Sequence, residues 1–299
     1  MVLLFFTMIG EFKMINKNCG YKLNNGLIIP NIGLGAWYIK DQKIIDDMIY
    51  NAYQAGFRHI DPASKYQNEK LIGNAIKKYN IDRANIFLTS KLWKDDKGYE
   101  KTLKAVVQIL NNLQTDYLDL LLIHWPMTSE NWKELNIEMW KAFEKLYKEK
   151  KVRAIGVSNF MVQHLEALLP NIEIYPMVNQ IEFHPGFMQE ETLKYCMERN
   201  IVVEAWSPLG SGKIFDNVIL KELSVKYNKS IAQICIRWCL QNKVIPLPKS
   251  TNKERIDENI SVYDFSITDE DMNKINTLPC FCNFGYLFII SLNVSLKFL

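Results

Sequence analysis

Short apolar runs and helically spaced apolar residues alternate along most of the chain. The predicted strands cover residues 32–37, 57–61, 85–91, 117–124, 152–158, 175–180, 201–206 and 244–247. Between them, apolar residues recur at the spacing of a buried helical face, as in Leu71, Ile72, Ala75 and Ile76. Eight strand–helix alternations match a (β/α)8 TIM barrel, an α/β fold that typically needs about 250 residues.

Ahead of the barrel, Asn24-Asn25-Gly26 lies between apolar residues, which predicts a β-hairpin at residues 21–30, at the bottom of the barrel. Two helices, at 217–227 and 230–241, follow the seventh strand, and we expect two auxiliary helices in all. We divide the chain into an extra apolar segment at 1–13, ahead of a plausible start at Met14, a single barrel domain at 14–279, and an atypical apolar tail at 280–299.

A doubly wound parallel sheet is the rival architecture. If it held a dinucleotide, it would usually carry the turn G-x-G-x-x-G after an early strand. Gly33-Leu-Gly35 is followed instead by Ala-Trp-Tyr. The sequence therefore favours the barrel.

Composition and charge exclude several classes of partner. The net charge is +3, and 48% of the residues are hydrophobic, which is typical of a globular protein. The basic residues are dispersed, so we expect no nucleic-acid partner. The apolar tail is too short for a confident membrane span, so we expect no membrane association. Cys235 and Cys239 are predicted to pack in a helix core, and the scattered cysteines suit a reducing compartment such as the cytoplasm.

Polar side chains end seven of the eight predicted strands. They are Asp61, Lys91, His124, Ser158 with Asn159, Gln180, Trp206, and Lys249 with Ser250, and Tyr66 follows Asp61 in the next loop. In a parallel barrel these ends meet at one face, where active sites are built. The pattern predicts a functional cleft at that face.

Four of these residues suggest proton transfer to a carbonyl oxygen. A free tyrosine titrates near pH 10, and a neighbouring ammonium is expected to move the pKa of Tyr66 down towards working pH. Asp61 would hold Lys91 charged, and His124 could donate to a substrate oxygen. Because side chains cannot supply a hydride, this chemistry requires a cofactor.

The other strand ends suit a nicotinamide dinucleotide. Trp206 offers a flat face for the nicotinamide ring, and Ser158, Asn159 and Gln180 could hold its carboxamide. The loop from Ser207 to Gly212 has small residues that allow close approach to a pyrophosphate. Lys249, Ser250 and Arg255 form a cationic group suited to the 2′-phosphate of NADPH.

Three alternatives remain open at this point. His59 with Asp61, and Glu182 with His184, have the spacing of metal ligands in a barrel hydrolase, although His59 is more often a core residue. Lys91 could form a Schiff base in an aldolase, but a lysine paired with Asp61 stays protonated. A non-catalytic, cofactor-binding regulatory barrel is the third.

With these motifs in order, the chain resembles an aldo-keto reductase from about Tyr21 to Pro279. The motifs are Gly56-Phe-Arg-His-Ile-Asp61 with Tyr66 and Asn68-Glu69, Thr89-Ser-Lys91-Leu-Trp93, Leu122-Ile-His124-Trp-Pro126, Gly156-Val-Ser158-Asn159-Phe160, Asn179-Gln180-Ile-Glu-Phe-His184-Pro and Ile245-Pro-Leu-Pro-Lys249-Ser250.

The resemblance implies reduction of small-molecule aldehydes and ketones by NADPH, with Tyr66 as general acid in a tetrad with Asp61, Lys91 and His124. It implies cofactor contacts from Gly35, Ser158, Asn159, Gln180, Trp206, Ser207, Leu209, Ser211, Lys249, Ser250, Arg255, Glu258 and Asn259. It also implies a substrate pocket formed by Trp37, Trp93, His124 and Trp125. We expect a monomer or a weak dimer.

The short connections after His124 and Trp206 resemble the microbial branch, which includes 2,5-diketo-gluconate reductases. Two positions depart from the family pattern. Pro62 stands where the family usually has threonine, and we expect little effect because the strand ends there. The apolar residues from Cys280 to Leu299 do not match the polar tail that usually covers the substrate pocket, which leaves the substrate range open.

Overall fold

Eight parallel strands stand side by side in chain order in the computed structural model, which describes residues 20–280. A two-stranded antiparallel hairpin, β1 (Gly20–Lys22) and β2 (Ile28–Pro30), precedes them. The parallel strands are β3 (Leu34–Gly35), β4 (His59–Asp61), β5 (Phe87–Leu92), β6 (Leu120–Ile123), β7 (Ile155–Ser158), β8 (Val178–Glu182), β9 (Val202–Trp206) and β10 (Val244–Pro246).

Backbone hydrogen bonds close this sheet into a barrel. The amide of Gly33 donates to the carbonyl of Pro246, and that of Gly35 to Pro248, each at 3.0 Å. A side chain at Gly35 would place its Cβ 2.8 Å from the carbonyl oxygen of Leu247, so only glycine allows this approach. The predicted TIM barrel is confirmed.

Ten α-helices lie within residues 20–280. They are α1 (Gln42–Ala55), α2 (Glu69–Lys78), α3 (Tyr99–Leu113), α4 (Trp132–Lys148), α5 (Val162–Leu168), α6 (Glu190–Glu198), α7 (Val218–Tyr227), α8 (Ile231–Gln241), α9 (Lys253–Ile260) and α10 (Asp269–Asn276). Eight alternate with the barrel strands, whereas α7 and α10 are auxiliary. The hydrophobic pattern does not predict α10, because this helix buries only Asp271 and Ile275.

The strands are buried on both faces, as their apolar sequences predict. All four residues of β6 are fully buried, since one face points into the barrel and the other meets the helices. The sixth predicted strand ends at Gln180, but β8 continues to Glu182. A glutamate interrupts the apolar run there, yet it is buried in the barrel, so the hydrophobic pattern places the end two residues early.

The hairpin lies at the end of the barrel where the strands begin. Asn25 donates to the carbonyl of Arg153, just before β7, and Asn24 donates to that of Pro176, just before β8. Cys235 and Cys239 are buried free thiols, as predicted. No helix in the described part of the chain combines the length and the apolar run needed to cross a bilayer. The predicted terminal segments, 1–13 and nearly all of 280–299, lie outside the described residues.

Candidate active site

A cavity of about 970 Å³ opens where the barrel strands end. Asp61 ends β4, Ser158 ends β7 and Trp206 ends β9, and all three line it. Every residue that the sequence predicts to contact cofactor or substrate also lines this cavity. Lys91 is the one predicted site residue that does not, because it is fully buried behind Asp61.

The four predicted catalytic residues come together at the floor of the cavity. The Nζ of Lys91 lies 2.6 Å from Oδ1 of Asp61 and 3.2 Å from the carbonyl oxygen of Pro62. It also lies 5.4 Å from the centre of the Tyr66 ring. The Tyr66 hydroxyl is 3.5 Å from Nε2 of His124, the outer limit of a hydrogen bond.

Local structure explains these positions. Asp61 and Lys91 extend from the neighbouring strands β4 and β5, and His124 follows β6. Tyr66 ends a short 3₁₀ turn, Ser64–Tyr66, and the hydroxyl of Ser64 anchors this turn by donating to the carbonyl of Lys91 at 2.9 Å. Proline at position 62 leaves the contact with Lys91 intact, since only its backbone carbonyl is used.

Lys91 remains charged although it is fully buried. Burial alone would lower its pKa, but the electrostatic interaction with Asp61 above all, and that with Tyr66, raise the pKa above its usual value. A buried ammonium is stable only when it is paired, and Asp61 supplies that pair. The ion pair also disfavours a Schiff-base role, which requires a neutral amine.

The pKa of Tyr66 departs from the prediction. Burial raises it above the ordinary value of 10, Lys91 lowers it, and Asp61 raises it, and the net shift is upward. The prediction that Lys91 brings this pKa down to working pH is therefore wrong. Lys91 does lower the pKa, but burial raises it by more. Tyr66 is consequently a neutral phenol at neutral pH and has a proton to donate.

His124 is a neutral imidazole in this environment. Burial lowers its pKa well below 6.5, and the positive charges of Lys91 and Lys65 lower it further. Its Nε2 faces the Tyr66 hydroxyl, whereas its buried Nδ1 has no hydrogen-bond partner within residues 20–280. Neutral imidazole carries a proton on one nitrogen, so Nε2–H can donate to an oxygen bound beside Tyr66.

Comparison with known proteins gives the family. The family model for the aldo/keto reductases matches residues 31–279, nearly the whole described chain. The chain belongs to the aldo/keto reductase family. The family resemblance is therefore confirmed, and the protein is an oxidoreductase.

Individual relatives agree with this assignment. The chain is 47% identical over 257 residues to glyoxal reductase from Bacillus subtilis, covering 86% of this chain and 91% of the relative. It is 46% identical to 9,11-endoperoxide prostaglandin H2 reductase from Trypanosoma cruzi, covering 87% and 93%. The solved aldo-keto reductase of Bombyx mori in complex with NADP superposes with a TM-score of 0.79 at 34% identity, covering 86% and 91%.

A second polar network in this reductase lies beneath the tetrad and was not predicted. Gln180 donates through Nε2 to Asp61 at 3.1 Å and to Glu204 at 2.9 Å. Glu204 lies 3.7 Å from Nε2 of His59, which contacts Thr89 at 2.9 Å. Burial raises the pKa of Glu204 to about 8, and Asp61 raises it as well. The sequence does contain a signal for Glu204, because a charged residue stands there inside the apolar run of β9.

Asn159 links His124 to Trp206. Its Nδ2 donates to the carbonyl of His124 at 2.9 Å and to Oγ of Ser158 at 3.1 Å, while its Oδ1 accepts from Nε1 of Trp206 at 2.8 Å. Ser158 in turn donates to the carbonyl of Gln180. These bonds fix the plane of the Trp206 indole at the cavity wall.

The loop after β9 has an unusual backbone. Ser207, Gly210, Ser211 and Gly212 all have positive φ, at 50°, 53°, 52° and 89°. Such values favour glycine, so the two serines carry conformational strain that is typical of functional loops. Their hydroxyls lie 3.2 Å apart, and both residues line the cavity.

The outer end of the cavity is cationic. Lys249, Ser250 and Arg255 line it together with Glu258 and Asn259. Burial lowers the pKa of Lys249, and its Nζ donates to the carbonyl of Trp37 at 3.3 Å. Among residues 20–280, no carboxylate lies within 4.0 Å of either cationic group. Both charges are thus available to an anion.

The aromatic end of the cavity adjoins this cationic end, because the Nζ of Lys249 lies 5.2 Å from the centre of the Trp37 ring. Trp37 is 59% exposed at the rim, and Trp93 packs edge-on against His124 with ring centres 5.1 Å apart. Trp125 lines the cavity as well, and so do Tyr38, Lys65 and Phe215, which the sequence did not identify. Lys65 directly precedes Tyr66, so its place in the motif could have predicted that it lies at the cavity. The loops that bring Tyr38 and Phe215 to the rim contain no such motif.

Three of the four residues considered as metal ligands have other partners, whereas Glu182 lies 3.5 Å from Nε2 of His184 and its buried carboxylate has no hydrogen-bond partner within residues 20–280. His59 contacts Thr89 and Asp61 contacts Lys91, while Nδ1 of His184 lies 2.8 Å from the carbonyl oxygen of Pro185. In the part of the chain that the structure describes, no three histidine, cysteine or acidic residues are arranged to hold a metal ion.

Proposed function

We propose that this reductase converts aldehydes and ketones to alcohols with NADPH, and that Tyr66 is its general acid. The observation that supports the proposal best is the position of the Tyr66 hydroxyl at the cavity floor, beside a neutral His124 and the buried ion pair Lys91–Asp61. No other tyrosine within residues 20–280 has a buried ammonium beside its ring.

The residues around the cavity fit a nicotinamide dinucleotide phosphate. Trp206 and the amides of Asn159 and Gln180 would hold the nicotinamide, and the strained loop from Ser207 to Gly212 would hold the pyrophosphate. Lys249 and Arg255, which lack an acidic partner, would hold the 2′-phosphate. The Bombyx mori relative, solved with NADP, supports this assignment. The bound reduced cofactor supplies the hydride that no side chain can supply.

The protein residues orient the carbonyl oxygen and transfer a proton to it. His124 donates through Nε2 to the carbonyl oxygen and orients it toward Tyr66. Tyr66 then gives its phenolic proton to that oxygen as negative charge develops there. The ammonium of Lys91 stabilises the phenolate left behind, and Asp61 keeps Lys91 charged. Because the pKa of Tyr66 is raised, its phenol stays protonated until the reaction takes place.

The aromatic end of the cavity suits small carbonyl compounds. The Bacillus relative is named for glyoxal, and we infer that small aldehydes and dicarbonyls are accepted here. A cytoplasmic location and a monomeric or weakly dimeric state stay predictions.

The test replaces Tyr66 by phenylalanine, which removes the acidic proton and keeps the ring. We expect the kcat for aldehyde reduction to fall by about 10²–10⁴, the usual contribution of a general acid. The dissociation constant of NADPH, followed by quenching of tryptophan fluorescence, should change less than about twofold, well under the tenfold that 1.4 kcal/mol represents. Tyr50→Phe, on the outer face of α1, is the matched control. Unchanged turnover in Tyr66→Phe would refute the assignment.

A further inference from the structure

Lys65 places a positive charge at the substrate end of the cavity. It is the middle residue of the 3₁₀ turn that presents Tyr66, and it lines the cavity. Its Nζ lies 4.8 Å from the centre of the Trp93 ring. The side chain is exposed, so its ammonium is accessible to a molecule that enters from solvent.

This charge has no counter-ion in the described structure. Within residues 20–280, no carboxylate lies within 4.0 Å of the Lys65 ammonium. Two acidic residues line the cavity, but Asp61 is paired with Lys91, and Glu258 lies on α9, the helix that carries Arg255. The substrate end therefore has a net positive charge.

The field of Lys65 reaches the reacting groups. After burial and Lys91, it is the third cause that lowers the pKa of His124. A charge that affects His124 also acts on a molecule whose carbonyl oxygen is bound by His124 and Tyr66. It attracts an anionic group on that molecule and repels a cationic one.

Lys94 provides a contrast at the same aromatic ring. Its Nζ lies 5.8 Å from the centre of Trp93, but Lys94 does not line the cavity. The two lysines thus share one neighbour and differ in access to the site. This difference separates an effect of general surface charge from an effect of a charge inside the cavity.

We propose that Lys65 determines specificity by selecting carbonyl compounds that carry a carboxylate. The ammonium would pair with the carboxylate while the indole of Trp93 covers the apolar linker between carboxylate and carbonyl. This inference rests on the proposed function and narrows its substrate class to aldehydo- and oxo-acids.

The test compares two substrates with the same reacting aldehyde, 4-oxobutanoate and its uncharged methyl ester. The measured quantity is the ratio of kcat/KM for the acid to that for the ester. We expect the acid to be preferred by the wild type, and the ratio to fall about three- to tenfold in Lys65→Met, as for one partly screened charge pair. Lys65→Arg should keep most of the ratio, and the control Lys94→Met should leave it unchanged.

Two further measurements isolate the contribution of the Lys65 charge to the preference for the acid. Raising the ionic strength from about 0.02 M to about 0.3 M should bring the wild-type ratio towards that of Lys65→Met, because salt screens exposed charges. Butanoate, which cannot be reduced, should bind the NADP⁺ complex about three- to tenfold more weakly in Lys65→Met by tryptophan fluorescence. Neutral butanamide serves as its reference.

The outcomes separate this inference from the function on which it rests. Reduction of both substrates with no preference for the acid, or a ratio that Lys65→Met does not change, would overturn the role of Lys65 and leave carbonyl reduction standing. Failure of the wild type to reduce either substrate would overturn both. An equal loss of the ratio in Lys94→Met would assign the preference to general surface charge and would also overturn the proposal.

Discussion

The two ends of the cavity differ in how the protein holds its charges. At the inner end, Lys91 and Asp61 are buried and paired at 2.6 Å, and a second network through Gln180 and Glu204 lies beneath them. At the outer end, Lys249 and Arg255 have no acidic partner within residues 20–280, and Arg255 is exposed. The inner end is fixed by the fold, whereas the outer end depends on a ligand.

This difference has a physical basis. In a buried site, charges interact strongly and an unpaired one costs several kcal/mol, so the protonation state of each group is set before the substrate arrives. In an exposed site, water and salt weaken the same interactions to about 1 kcal/mol or less. We therefore propose that the inner end carries out the chemistry and that the outer end discriminates between cofactors.

The largest effect is expected from Lys91→Met. Removing one partner leaves the buried Asp61 unpaired, so we expect the free energy of unfolding to fall by about 3–5 kcal/mol. Carbonyl reduction should fall as well, because nothing then stabilises the phenolate of Tyr66. Urea unfolding and steady-state kinetics measure the two effects.

The double variant Lys91→Met/Asp61→Asn separates stability from catalysis. It removes both charges and leaves an acceptor for Gln180, so most of the stability should return while activity should not. Recovery of both would mean that Lys91 acts only through packing, and recovery of neither would mean that the ion pair is not the source of the loss.

An effect of intermediate size on the free energy of unfolding is expected from the titration of Glu204. Its pKa of about 8 in the folded protein lies above the ordinary value of 4.5. The folded state keeps a proton that the unfolded chain releases, so this contribution to stability is fully present below pH 4.5 and is lost as pH rises through 8. From pH 6.5 to 8, the free energy of unfolding should fall by about 2 kcal/mol at most, at 1.36 kcal/mol per pH unit.

Glu204→Gln should remove this slope, since glutamine does not titrate and can still accept from Gln180. The histidines do not explain the same slope. His59 and His164 have pKa values lowered to about 4, so their contribution is present above pH 6.5 and is lost as pH falls through 4. Urea unfolding across the pH range measures the slope, with the exposed Glu222→Gln as control. A slope that persists in Glu204→Gln would assign the titration to another group.

The smallest effect is expected at the outer end, from Arg255→Ala. We expect NADPH binding to weaken by about 1 kcal/mol and NADH binding to change far less, because only NADPH carries the 2′-phosphate. Fluorescence titration with both cofactors measures this difference. Lys253→Ala, two residues earlier on α9 and outside the cavity, is the matched control. Equal losses for both cofactors would place the 2′-phosphate site elsewhere.

The sequence by itself determined the barrel and most of the site. The alternation of apolar runs with helically spaced apolar residues specifies the fold. A continuous apolar run is buried as a strand, whereas apolar residues three and four positions apart are buried as one face of a helix. A parallel barrel then brings its strand ends together, so Asp61, Lys91 and His124 could be assigned to one cleft from their order alone. The confirmed family resemblance rests on the same residues.

Only the tertiary structure decided the electrostatics and the cavity rim. The pattern could not show that burial would outweigh Lys91 and raise the pKa of Tyr66, because desolvation depends on every element packed around a group. For the same reason, Glu204 was not predicted as a neighbour of the tetrad, although it lies in a predicted strand. Lys65 lines the cavity beside Trp93 because the 3₁₀ turn before α2 directs it there, which no local periodicity encodes.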